Sequence, residues 1–133
     1  MNILIAEDHA LIVEGLKSLL ESNGYSVFHA PDERMLMHVL SDRQMDVLIQ
    51  DIRFGKVDAR MLIPSIREQF PEVKILVLTS LDDLASIQSI LAANIHGYVI
   101  KSEPSNLILE AVEAIDAGKT YLSPEVQSVF VRK

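Results

Sequence analysis

Short apolar runs alternate along the chain with stretches in which apolar residues recur every three or four positions. Asn2-Ile-Leu-Ile-Ala6 is brief, nearly all apolar and stopped by Glu7 and Asp8, the pattern of a strand covered on both faces. Ile12, Leu16, Leu19 and Leu20 then follow helical spacing, and Asn23-Gly24 ends that helix. Tyr25–Ala30 predicts a second strand, and Asp32-Glu33 open a helix with Leu36, Val39 and Leu40 on one face. Asp46–Gln50 predicts a third strand that delivers Asp51 at its end. The helix after it carries Leu62, Ile63, Ile66 and Phe70, with Pro64 forcing a late start or a kink. Lys74–Leu78 is the fourth strand, ending at Thr79-Ser80. A helix with Leu84, Ile87, Ile90 and Leu91 leads to a fifth strand, His96–Ile100, which ends at Lys101. The last helix starts near Pro104 and runs to Gly118.

Five strands and five helices in strict alternation, joined by short loops, imply βαβ units and a single α/β domain with a parallel sheet covered on both sides. The flavodoxin-like strand order 2-1-3-4-5 is carried over from that class of doubly wound sheet, not deduced from spacing. This core occupies residues 1–122, and 123–133 are expected to form a tail, as a short helix, or the start of a linker. Composition narrows the picture. The 133 residues are 49% apolar and carry a net charge of −7, which argues for a folded globule and against a nucleic-acid grip by this stretch alone. There is no cysteine, so no disulfide frame or thiolate metal site exists, consistent with a cytoplasmic location. The apolar opening run has no basic residues before it and reads as neither signal peptide nor membrane span.

Ligands of open α/β sheets bind beyond the carboxyl ends of the strands. Those ends carry Glu7-Asp8, Asp51, Thr79 and Lys101, which the expected strand order brings to one cleft. Three carboxylates there repel one another unless a cation joins them, and a hard divalent ion such as Mg²⁺ suits oxygen ligands. Beside such an ion, Lys101 and the Thr79 hydroxyl supply what a transferring phosphoryl group needs. Asp51 is then a nucleophile that would take phosphate onto the protein. Taken singly, Asp51 passes for a turn residue and Thr79 for a β-branched strand residue. Their common placement points to chemistry.

With these residues the chain resembles a response-regulator receiver domain of two-component signalling. Glu7-Asp-His-Ala-Leu-Ile-Val-Glu-Gly-Leu16, Gly97-Tyr-Val-Ile-Lys-Ser102 and Ala117-Gly-Lys-Thr-Tyr-Leu-Ser-Pro-Glu-Val126 are similar to the NarL/LuxR-type subfamily. The resemblance implies that Asp51 is the phosphoacceptor and that Mg²⁺ is held by Glu7, Asp8, Asp51 and the backbone carbonyl of Arg53. It implies that Lys101 pairs with the phosphoryl oxygens and that Thr79 and Tyr98 are switch residues. It further implies a sensor histidine kinase as phosphodonor, a homodimer, and DNA contact only through a helix-turn-helix output domain outside this stretch. No membrane partner and no enzymatic turnover beyond self-phosphorylation and self-dephosphorylation are expected. Gly55 and Ala59 stand where receivers commonly have Pro and Gly, and Gln50 replaces the usual apolar residue before the acceptor.

Other readings use the same residues differently. A standalone receiver or phosphorelay member needs no output domain. A small Mg²⁺-dependent phosphatase with an aspartyl nucleophile would place that nucleophile on the first strand and a second Asp two residues later; here Asp51 ends the third strand and Arg53 takes the second place. An unphosphorylated interaction module would leave the full reactive set without a purpose. His9, His29, His38 and His96 lack ligand spacing and read as surface or structural residues, although His9 lies beside the acids.

Overall fold

The computed structural model describes residues 1–131. Its main sheet is built from β1 (Asn2–Ala6), β2 (Ser26–Ala30), β3 (Val47–Gln50), β6 (Lys74–Thr79), β7 (Gly97–Ile100) and β8 (Tyr121–Leu122). A separate two-stranded ribbon, β4 (Arg53–Phe54) and β5 (Val57–Asp58), follows β3. The helices are α1 (Ala10–Glu21), α2 (Glu33–Asp42), α3 (Ile63–Gln69), α4 (Leu84–Leu91), α5 (Asn106–Asp116) and α6 (Pro124–Val131). The main sheet is parallel throughout, in the order β2-β1-β3-β6-β7-β8. The first five of these reproduce the expected 2-1-3-4-5 order.

Alternation of side chains along each strand divides the core into two layers. Ile3, Ile5, Ile49, Leu76, Leu78 and Val99 face α1 and α5, whose Val13, Leu16, Leu20, Ile108, Val112 and Ile115 cover them. Leu4, Leu48, Ile75, Val77 and Tyr98 face the other way, onto Leu36, Leu40, Ile63, Ile66, Ile87 and Ile90 of α2, α3 and α4. The strands are apolar on both faces because both faces are covered, which is why they read as unbroken apolar runs.

The expectation of five strands and five helices is corrected, among the described residues, to six main-sheet strands and six α-helices. Gly118 (φ +81) turns the chain out of α5, and Tyr121 N donates to His96 O (2.9 Å) while Ser123 N donates to Tyr98 O (3.1 Å). That ladder adds β8, whose two residues are too few to show a strand period. Next comes α6, which lays Val126 and Val129 into the layer that holds Tyr98. Through Val126 and Val129 the helical part of the expected tail therefore packs on the fold, and the tail's last two residues lie outside the described ones.

Local chemistry explains the finer departures. Asp32 caps α2 by accepting from Met35 N at 2.9 Å, as its position implied. Pro64 sits in the first turn of α3, where a missing N–H costs nothing, so the helix starts late and does not kink. Gly55 has φ +61 in the turn between β4 and β5, a conformation closed to proline.

Candidate functional site

The sheet delivers the polar strand ends to one place. β1 and β3 are adjacent, and Asp51 N donates to Ala6 O at 3.0 Å, so the acids that follow these strands stand side by side. Glu7, Asp8, His9 and Asp51 each offer a ligand atom, and these atoms all lie within 4.8 Å of one another. From β7, two strands away, Lys101 places Nζ 2.7 Å from Glu7 Oε1 and 2.9 Å from Asp51 Oδ2. Glu7 and Asp51 are buried, whereas the Asp8 side chain is 37% exposed and opens the cluster to water.

Glu7 is turned back onto its own loop. Its Oε2 accepts from Asp8 N (3.0 Å) and His9 N (3.3 Å), and His9 Nδ1 lies 2.9 Å away. Burial opposes its ionisation, but hydrogen bonds with Lys101 and His9 outweigh that and hold the carboxyl at about 2. Asp51 responds in the opposite direction. Burial lifts it to about 6, and the nearby Glu7 charge adds to the rise while Lys101 opposes it. Asp51 is thus the member of the pair that takes a proton more readily. Burial would lower Lys101, yet its bonds to Glu7 and Asp51 carry it above its ordinary value. One ammonium faces three carboxylates. This all-oxygen excess of negative charge, open to water at Asp8, fits a hard cation that keeps part of its hydration shell, as Mg²⁺ does. The His9 nitrogen nearest the acids is already engaged by Glu7.

Thr79 is buried at the end of β6, where its carbonyl accepts from Lys101 N at 2.9 Å. Its Oγ1 is the acceptor of a long contact from Leu81 N (3.4 Å). Tyr98 is fully buried, and its hydroxyl donates to Leu81 O at 2.5 Å. Burial and then Asp83 and Asp82 raise the Tyr98 phenol well above its usual range, so it stays a donor. Leu81 is held at both its N–H and its carbonyl by these two residues. Arg53 opens the β4–β5 ribbon opposite Asp58, two residues beyond Asp51, with its side chain exposed.

Glu7, Asp8, Asp51 and Lys101 are brought into contact as a group, and Thr79 and Tyr98 meet at Leu81 instead. His9 belongs to the acid cluster, and its adjacency to Glu7-Asp8 was the available signal. His29 Nε2 pairs with Glu7 O at 2.8 Å, and His96 Nδ1 accepts from Ile75 N at 3.0 Å, so both are structural. No helix among the described residues is long and apolar enough to cross a membrane.

Comparison with known proteins decides the family. The model of the response regulator receiver domain matches residues 3–113. The chain belongs to the response-regulator receiver family. It is of the NarL/LuxR type: a LuxR-family two-component response regulator from Aurantimonas sp. SI85-9A1 superposes with TM-score 0.91 at 26% identity, over 98% of this chain and 95% of that one. The oxygen regulatory protein NreC of Staphylococcus carnosus is 31% identical over all of this chain, which spans 63% of that protein's length. The isolated receiver domain of RcsB from Salmonella enterica serovar Typhimurium, solved with the phosphomimetic BeF₃⁻, gives TM-score 0.91 at 28% identity, with 97% of each chain covered. RcsB has also been solved as two dimers bound to two parallel DNAs, a chain that the receiver matches with TM-score 0.90 and 28% identity over 97% of its own length and 67% of the other's.

Proposed function

We propose that Asp51 of this receiver accepts a phosphoryl group from a sensor histidine kinase in a Mg²⁺-dependent reaction. The observation that carries the reading is the Lys101 ammonium, 2.9 Å from Asp51 Oδ2 at the centre of an acid cluster. An Asp51 oxygen forms the new P–O bond as the P–N bond to the kinase histidine breaks, and the imidazole keeps the electron pair. Asp8, Asp51 and the Arg53 carbonyl would hold the cation, with Glu7 beside them. When bound, Mg²⁺ offsets the negative charge of the acids and of the incoming group. Lys101 can follow the transferred oxygens, since it already lies against the acceptor.

Phosphorylation adds a charge of about −1.5 to −2 next to Thr79 and Lys101. Thr79 and Tyr98 both grip Leu81, so a movement of Thr79 toward the phosphate would pull the 80–83 loop ahead of α4. The altered surface of α4, β7 and α5 is the signal. It acts on a helix-turn-helix DNA-binding output beyond this stretch, in the cytoplasm, through a receiver homodimer that pairs output domains on DNA half-sites. The partial span of NreC and the DNA-bound RcsB dimers support that part.

Incubation with acetyl phosphate and Mg²⁺, followed by intact mass measurement, tests the reading. One added phosphoryl group is expected, absent in Asp51→Asn and absent after chelation of the metal. An unchanged mass for the parent protein overturns it.

A further inference from the structure

Gln50, the residue immediately before the acceptor, has no solvent exposure at all. It pairs in register with Ala6 on one side and Val77 on the other, so its side chain shares their face, that of the layer containing Tyr98. An amide there has to find partners or remain costly. Its Nε2 donates to the carbonyl of Asp51 at 2.8 Å. The acceptor decides the orientation of the amide, because a carbonyl oxygen at that distance requires the NH₂ group. Oε1 is then left buried with no hydrogen-bond partner among the described residues. An unbranched apolar side chain of similar length, such as methionine, would fill the same space without that orphan. Packing alone does not account for glutamine.

The bond falls where the sheet stops holding the chain. β3 ends at Gln50, and the last rung from this strand to β1 is Asp51 N to Ala6 O at 3.0 Å. One residue later, Ile52 O accepts from Ala59 N at 2.7 Å. Between these two ties lies the Asp51 carbonyl, and the Gln50 amide supplies its donor. Three backbone groups, the Asp51 N–H and carbonyl and the Ile52 carbonyl, are therefore held in the segment that carries the Asp51 carboxylate and leads to Arg53.

We propose that Gln50 is a positioning residue: its side-chain amide clamps the Asp51 main chain so that the acceptor carboxylate and the Arg53 carbonyl face one cation. The inference rests on the reading of Asp51 and Arg53 given above. It explains why a residue with an orphaned oxygen occupies an apolar layer, since the unpaired acceptor is the counterpart of a preorganised loop.

The test compares the parent chain with Gln50→Met and Gln50→Leu. Mg²⁺ affinity is read by NMR titration, thermal midpoint without metal by circular dichroism, and acetyl-phosphate uptake by mass. The clamp predicts an unchanged or raised midpoint in the variants together with Mg²⁺ binding weakened by about tenfold, or ~1.4 kcal/mol. A purely structural amide would leave affinity and uptake at the parent's values whatever the midpoint does, and that result overturns the proposal. If both variants fail to fold, Gln50→Asn, whose shorter amide does not reach the Asp51 carbonyl, is read in the same way: weakened Mg²⁺ affinity supports the clamp, and the parent's affinity overturns it. Failure of the parent itself to bind Mg²⁺ overturns the phosphoacceptor reading and the clamp with it, and is distinguishable because it needs no variant.

Discussion

The Glu103 carboxylate accepts a hydrogen bond from the Ser123 hydroxyl, which ties the loop after Lys101 to the start of α6. The same carboxylate accepts from Ile100 N (3.0 Å) and Glu125 N (3.2 Å), so three groups converge on it. Two of them lie at the entry to α6, the helix whose Val126 and Val129 share a layer with Tyr98. Glu103→Ala should loosen that helix at a cost of about 1.5–3 kcal/mol, the range for hydrogen bonds to a charged group. Hydrogen exchange is the check: amides of 125–131 lose protection before those of β1, β3 and β6, and Glu103→Gln restores part of it. Equal protection of α6 in parent and Glu103→Ala would contradict the tie.

Gly97 is required by close packing rather than by its backbone angle. A Cβ there would lie 2.8 Å from Leu76 Cδ1, 3.2 Å from Ile115 Cδ1 and 3.4 Å from the Tyr121 carbonyl. Leu76 and Ile115 can yield at their ends only by disturbing the layer beneath α5. Gly97→Ala is expected to lower unfolding free energy by about 1–3 kcal/mol, as overpacking does. Denaturant unfolding measures it, and a neutral result would show that the layer repacks freely.

His96 gives the fold a pH dependence away from the acid cluster. Burial lowers its pKa, and Arg67 on α3 and Lys74 on β6 lower it further. The native state therefore binds this proton less readily than the unfolded chain does. The contribution is fully present above the unfolded value of about 6.5 and is lost as pH falls through the lower folded value. His96→Asn preserves an acceptor near Ile75 N without the titration. Stability of the parent should decline more steeply than that of the variant as pH drops below about 6.5. Parallel curves from denaturant titrations at several pH values would refute this.

Mg²⁺ should stabilise the native state alone, because the unfolded chain does not assemble Asp8 and Asp51. At ten times its dissociation constant the ion adds about 1.4 kcal/mol to unfolding free energy. Asp8→Asn combined with Asp51→Asn should abolish the gain, read as a thermal midpoint with and without chelator. A gain that survives both changes would place the ion elsewhere.

Local periodicity determined the five longer strands and the helices between and after them up to α5, because a strand covered on both faces and an amphipathic helix each leave their mark within a few residues. Strand ends are local as well, so Glu7, Asp8, Asp51, Thr79 and Lys101 stood out before any packing was known. Contacts between distant residues carry no such mark. That Lys101 reaches Asp51, 50 positions away, and Glu7 as well was decided by the sheet order. The two residues of β8 are too few for a period, and α6 became part of the core only by burying Val126 and Val129. The Glu103 tie and the Gln50 amide bond depend on where one side chain ends in space. Hydrogen bonds act at single-atom range, and tertiary packing alone sets distances at that scale.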